Sequence, residues 1–215
     1  MDLPPPFDIL PPLAHGALVT VELTLAAGAL GLMLAFVAGL GRLSKHTAVR
    51  LIIGFYVELF RGSSALVQLF WFFYVLPFIG ISLSPFVAGL VVLGLNSGAF
   101  GSEIVRGAVM AVPKEQTEAA LALNMSPVRT MRRIILPQAI PMMLPPFGNS
   151  LINLLKGTSL VSFITIADLT YQGLQIRQQY GRSTEVFVWL LILYFGLAYP
   201  ATRAMRWLEA KVRLP

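Results

Sequence analysis

The chain has 215 residues, of which 56% are hydrophobic and 12% charged, with mean hydropathy +0.75 and a formal net charge of +6. A soluble domain carries about 25% charged residues, so the shortfall points to lipid as the solvent. There is no cysteine and there are only two distant histidines, His15 and His46, which excludes disulfides, thiolate chemistry and a Cys- or His-rich metal site.

The opening "MDLPPPFDILPPL" carries acids and prolines where a cleavable signal peptide carries basic residues, so none is expected. Five stretches then satisfy the ~20 mostly apolar residues that a bilayer-spanning helix needs. They cover 16–40, 51–76, 85–110, 137–166 and 184–204. The second is interrupted by Glu58, Arg61 and Gln68. The fourth holds Pro137, Pro141, Pro145 and Pro146 in its first third, and a bent start is expected because proline removes a backbone donor. No internal repeat or linker divides the chain, which reads as one membrane domain over 1–215.

Basic residues orient these spans. Arg42, Lys45 and Arg50 follow the first; Arg106, Lys114, Arg129, Arg132 and Arg133 follow the third; Arg203, Arg206, Lys211 and Arg213 follow the fifth. The connection after the second span, "PFIGISLS", has none, and the one after the fourth has only Arg177 and Arg182. Twelve cations on one side against two on the other give an outer N-terminus and an inner C-terminus. The positive charge is thereby assigned to cytoplasmic loops, and no nucleic-acid partner is expected.

Within the spans, ionisable side chains are expensive and face partners or water. Asn149, Asn153 and Lys156 share one helix face at spacings of three and four. With Thr158 and Ser159 they read as a polar substrate path, Lys156 meeting a carboxylate. The alternative is that Lys156 forms a structural ion pair with an acid such as Glu103. Gln68 and Asn96 lie near mid-span and are further path candidates. Glu58 with Arg61, and Glu103 with Arg106, stand three apart and are expected as structural ion pairs. Glu22 reads as a snorkelling residue, and "FWFFY" (70–74) as an interfacial aromatic belt rather than a ligand cage.

Between the third and fourth spans the chain turns charged and helix-favouring: "EQTEAALALNMSPVRTMRRIILPQAIP", residues 115–141. Pro113 suits a helix start, and Glu115 and Glu118 complement the helix dipole. Asn124 tolerates the left-handed turn that ends a helix. Ser126 and Pro127 read as N-cap and first position of a second helix. Locally this is either a docking hairpin or a solvated connection, 111–136 in all.

The stretch resembles the EAA loop of bacterial ABC-importer permeases: Glu118-Ala119-Ala120, Asn124 at the position of the loop glycine, then Ile134-Ile135-Leu136-Pro137. "YVELFRGSSALVQLFWFFYVLP", "AFGSEIVRGAVMAVPKEQ", "LPQA", "LPPFGNSLINLLKGTSLVSFITIADL" and "LEAKV" likewise resemble the polar amino acid branch of that family. The resemblance implies an all-α type I importer permease with five transmembrane helices, multi-pass in the bacterial inner membrane. It implies that Glu118, Ala119, Ala120 and Asn124 couple the chain to an ATPase. The partners implied are a dimeric ATP-binding subunit, a second permease subunit (a related paralogue in preference to an identical copy) and a periplasmic or extracellular solute-binding protein. No phosphate-binding Gly-x-x-x-x-Gly-Lys-Ser/Thr loop is present, so ATP and magnesium are assigned to the partner. No catalytic residue, metal or cofactor is assigned to this chain.

Four departures from the family's wording are Asn124, Ser63-Ser64 in "RGSS", Glu115 in "VPKEQ" and Gly157 in "LLKGTSL". The family's usual residue after Lys156 is an aspartate, able to meet a cationic side chain; Gly157 is not. That argues for a neutral cargo, and the wording "FWFFYVLPFIGISLSPF", "ALNMS" and "LLKGTSLVS" is most similar to ectoine and hydroxyectoine permeases. A general polar amino acid is the other cargo reading. The other function class is a self-contained secondary transporter or channel, against which stands the lack of internal repeats.

Overall fold

In the computed structural model the described residues are 7–212; residues 1–6 and Arg213, one of the cations used for orientation, lie outside them. Every regular element among the described residues is helical.

Helix α1 (Leu10–Gly41) begins earlier than its apolar run suggests, because prolines in the first turn lose no intrahelical bond. It packs along α4 (Pro85–Ala111), which Ser84 caps by accepting from the Val87 N–H. Small residues let the two backbones approach. A Cβ on Gly39 would stand 2.6 Å from the Cβ of Val105, and one on Gly98 2.6 Å from the Cβ of Leu34. These two helices form the spine on which the others lean.

The second expected span, 51–76, is not one straight helix. Helix α2 (Thr47–Gly62) and the segment from α3 (Ala65–Phe70) to Ile79 are bent by 106° at Ser63–Ser64, both extended. A break at membrane depth needs partners for the freed backbone groups, and side chains supply them. Gln68 Nε2 donates to the Phe60 carbonyl at 3.0 Å and to Ser63 Oγ at 2.9 Å. Asn96 Nδ2, from α4, donates to the same carbonyl at 3.0 Å and to Gln68 Oε1 at 3.2 Å. Beyond α3 the chain continues as a π-helical turn (Trp71–Val75) and a 3-10 turn to Ile79, ended by left-handed Gly80.

Helices α5 (Lys114–Ala122) and α6 (Pro127–Thr130) form the cytoplasm-assigned segment. From α6 the chain runs through a π turn (Met131–Ile135) into α7 (Leu136–Gly157) and a 3-10 stretch to Ile164. Pro141, Pro145 and Pro146 all lie inside α7. The expected bend at the start of this span is therefore not a break; the loosened geometry is the π turn just ahead of Pro137. The connection 167–183, expected as a loop, contains α8 (Leu169–Tyr180), and α9 (Ser183–Val212) closes the bundle. Among the described residues three helices are long and apolar enough to cross a membrane, or up to five if each bent pair is one span.

A polar cavity and a solvent-facing hairpin

Helix α7 turns Asn149, Asn153 and Lys156 outward on one exposed face, at the spacing the sequence gives. Beside that face lies a cavity of ≈ 460 Å³, lined by Ala65 of α3, Asn96, Ser97 and Phe100 of α4, and Asn149, Ser150, Asn153 and Gly157 of α7 and its end. The three asparagines offer both donors and acceptors, and no charged side chain lines the space. Another cavity, of ≈ 380 Å³, shares Ser97 and Ser150 but is otherwise walled by Leu25, Leu32, Phe36, Phe147, Leu151 and Met205. It gives a polar solute almost nothing to bond.

Lys156 is exposed at the end of the asparagine face and makes no salt bridge among the described residues. The alternative pairing with Glu103 is thus not formed. Glu103 is held by Arg106 at 2.8 Å, by Arg61 at 3.7 Å and by Arg42. Arg61 also lies over the Phe100 ring, 5.4 Å from its centroid, so the cluster borders the cavity wall. One carboxylate against three guanidiniums leaves this side of the cavity positive.

Other assignments change in the structure. The expected Glu58–Arg61 pair does not form: Glu58 is exposed and has no ion-pair partner among the described residues, because Arg61 turns to Glu103. Gln68 is buried and pins the 106° break rather than lining the cavity, while Asn96 does both. Thr158 is fully buried and donates to the Leu155 carbonyl; Ser159 donates to that of Lys156, and neither lines the cavity. Ser97 and Ser150 were missed, although each sits next to an asparagine that the sequence singles out. Asp168 was also missed: it caps α8 by accepting from the Tyr171 N–H at 2.9 Å, and it faces Tyr194 of α9. An aspartate just ahead of a helical pattern was the available signal.

The hairpin follows its sequence closely. Asn124 adopts φ +59° and ends α5, and the Met125 N–H donates back to the Ala120 carbonyl at 3.0 Å. Ser126 is the N-cap of α6 and Pro127 its first residue. Glu118 and Ala119 are exposed, as are Leu121, Leu123 and Val128 at 72%, 75% and 77%. Ala120 is fully buried in its own chain, against the expectation that it faces a partner. Its neighbours on the helix, not its own methyl group, present the outer surface. Leu121, Leu123 and Val128 thus stand exposed together on one short segment.

Known proteins share this chain's sequence and fold. It matches the family described as "Binding-protein-dependent transport system inner membrane component" over residues 28–214. It is 48% identical to the probable amino-acid ABC transporter permease protein y4tF of Sinorhizobium fredii, across 95% of this chain and 89% of that one. It is 38% identical to the L-cystine transport system permease protein TcyB of Bacillus subtilis, across 90% of this chain and 82% of the relative. A solved amino acid ABC transporter, crystallised "with histidines", superposes with a TM-score of 0.88 at 33% identity, covering 94% of each chain.

Proposed function

The chain belongs to the family of inner membrane components of binding-protein-dependent transport systems and has the type I ABC permease fold; on that premise we propose that it forms the substrate path of an ATP-driven importer for a small neutral polar zwitterion. Its relatives are permease subunits, which do not hydrolyse ATP; that chemistry resides on a separate chain. The zwitterion is an amino acid, the class named for the relatives, or ectoine, to which the wording of several motifs is similar.

The observation that carries this reading is an acid-free, asparagine-lined cavity beside a helix, α7, that the π turn Met131–Ile135 joins directly to the second helix of the hairpin. Asn96, Asn149 and Asn153 hydrogen-bond a polar ligand, and the positive flank around Arg61 together with Lys156 attracts its carboxylate. No carboxylate stands in the wall to favour a cationic side chain. Glu118 and Ala119, with the apolar surface of Leu121, Leu123 and Val128, meet the ATPase. Asn124 takes the place of the family's loop glycine in the left-handed turn that separates the two short helices.

The open face of Asn149, Asn153 and Lys156 needs cover, because a lysine at the membrane centre costs about 3 kcal/mol on insertion scales. A second permease subunit, a related paralogue, closes that side. A solute-binding protein delivers cargo to the outer end, where the N-terminus lies, and the C-terminus is cytoplasmic. The test is co-expression of this chain with ATP-binding and permease subunits of the same organism, and purification through a tag on this chain. Recovery of a stable complex with substrate-stimulated ATP hydrolysis is expected. A chain that purifies alone and transports unaided would overturn the proposal.

A further inference from the structure

The coupling helix and the cavity helix are joined through a soft stretch. Between α6 and α7 lies a π turn, Met131–Ile135, whose backbone bonds span five residues. Pro137 and Pro141 follow, each removing a backbone donor. Helix kinks concentrate at such features. A push on α5 delivered only through the chain would be absorbed there before reaching Asn149 and Asn153.

One contact bypasses it. Gln138 lies beyond the π turn and its Nε2 donates to Gln116 Oε1 on α5 at 3.3 Å. The same nitrogen donates to the Ile134 carbonyl at 2.9 Å, which fixes the amide's direction. Among the described residues this is the one side-chain hydrogen bond between α5 and the run 127–164. Helix α5 itself packs mainly on the π turn, so this amide bond is the contact that reaches past the turn to α7. We propose that the Gln116–Gln138 pair is a strut: a positioning contact that makes α5 and α7 move as one unit, so that displacement of the docking helix reaches the cavity. This rests on the reading of α5 as the helix that meets the ATPase.

The test uses the assembled complex and ATP with vanadate as the only added ligands. The chain is free of cysteine, so spin labels can be placed at Glu115→Cys with Met142→Cys, and at Met142→Cys with Ile81→Cys. With the native glutamines, the 115–142 distance should stay narrow and unchanged by nucleotide while the 142–81 distance shifts. In Gln138→Leu, which preserves side-chain bulk, the 115–142 distribution should broaden. The nucleotide-induced 142–81 shift should fall by a factor of about three, within the range of coupling changes that single residues produce. Melting temperature and basal ATP hydrolysis should hold, which a merely structural role does not predict. The charge pair Gln116→Lys with Gln138→Glu should restore both distances. If nucleotide moves the unaltered complex and Gln138→Leu responds in the same way, the strut is overturned and the importer reading stands. If nucleotide moves neither pair in the unaltered complex, the coupling reading fails and the strut with it.

Discussion

Replacing Gly157 by aspartate should convert the cavity from neutral to cation-preferring. The backbone there is helical, at φ −67° and ψ −19°, so any L-residue adopts it. No other part of the chain comes within 4 Å of the position a Cβ would take, so the carboxylate enters open space on the cavity wall. The charge costs the folded protein about 0.3–1 kcal/mol at the negative end of α7, with and without ligand alike, and Lys156 next to it screens part of its field. In its favour, a ligand cation about 6 Å away gains about 3 kcal/mol at an effective dielectric constant of 20. The balance is about 2 kcal/mol, a change of about thirtyfold in relative affinity. The assay is equilibrium binding of radiolabelled L-arginine and L-glutamine to the purified complex without binding protein, so that only the permease selects. The arginine-to-glutamine affinity ratio should rise by about that factor. A folded, assembled Gly157→Asp complex with an unchanged ratio would refute the placement of the ligand against Gly157.

Lys156→Met should assemble and melt normally, because no acid is paired with Lys156. It should lose about tenfold or more in substrate affinity through the missing charge-assisted bond; early melting instead would mean a hidden acidic partner. Ala119→Trp, on the exposed side of α5, should leave the permease folded and block ATPase association, whereas Ala120→Trp, in a fully buried position, should lower the melting temperature; thermal melts and pull-downs on both variants separate the two faces. Cysteines at Asn124 and Ile81 report topology: an impermeant reagent on intact cells should label position 81 and spare 124, and the reverse pattern would invert the assignment.

The helices and the hairpin were legible in the sequence because their signals are local. Asn124, Ser126 and Pro127 each prefer a backbone angle that the structure then uses, while Pro113, expected as the first helical residue, stands one place earlier as the N-cap of α5. The asparagine face of α7 was legible for the same reason, since helical spacing alone brings 149, 153 and 156 together. The break at Ser63–Ser64 was not, because Gln68 and Asn96 stabilise it from 5 and 36 residues away. Nor was the choice of partners for Glu103: spacing predicts Arg106, but Arg42 arrives from a connection 61 residues off, and Glu103 also draws Arg61 away from Glu58. Helix α8 escaped because it is short and too polar for a span, although Asp168 and Gly181 mark its ends. Local preference set the elements; the pairing of amides and ions across helices set the cavity wall.

Carriage of a zwitterion by this chain under the power of another chain's ATP has one direct test: reconstituting the permease, its ATPase and its binding protein in liposomes and following labelled L-glutamine, L-cystine and ectoine. At least one of them should accumulate in a way that requires ATP on the side of the ATPase and binding protein on the other, and that survives dissipation of proton and sodium gradients. Accumulation without ATP, driven by either gradient, would contradict it.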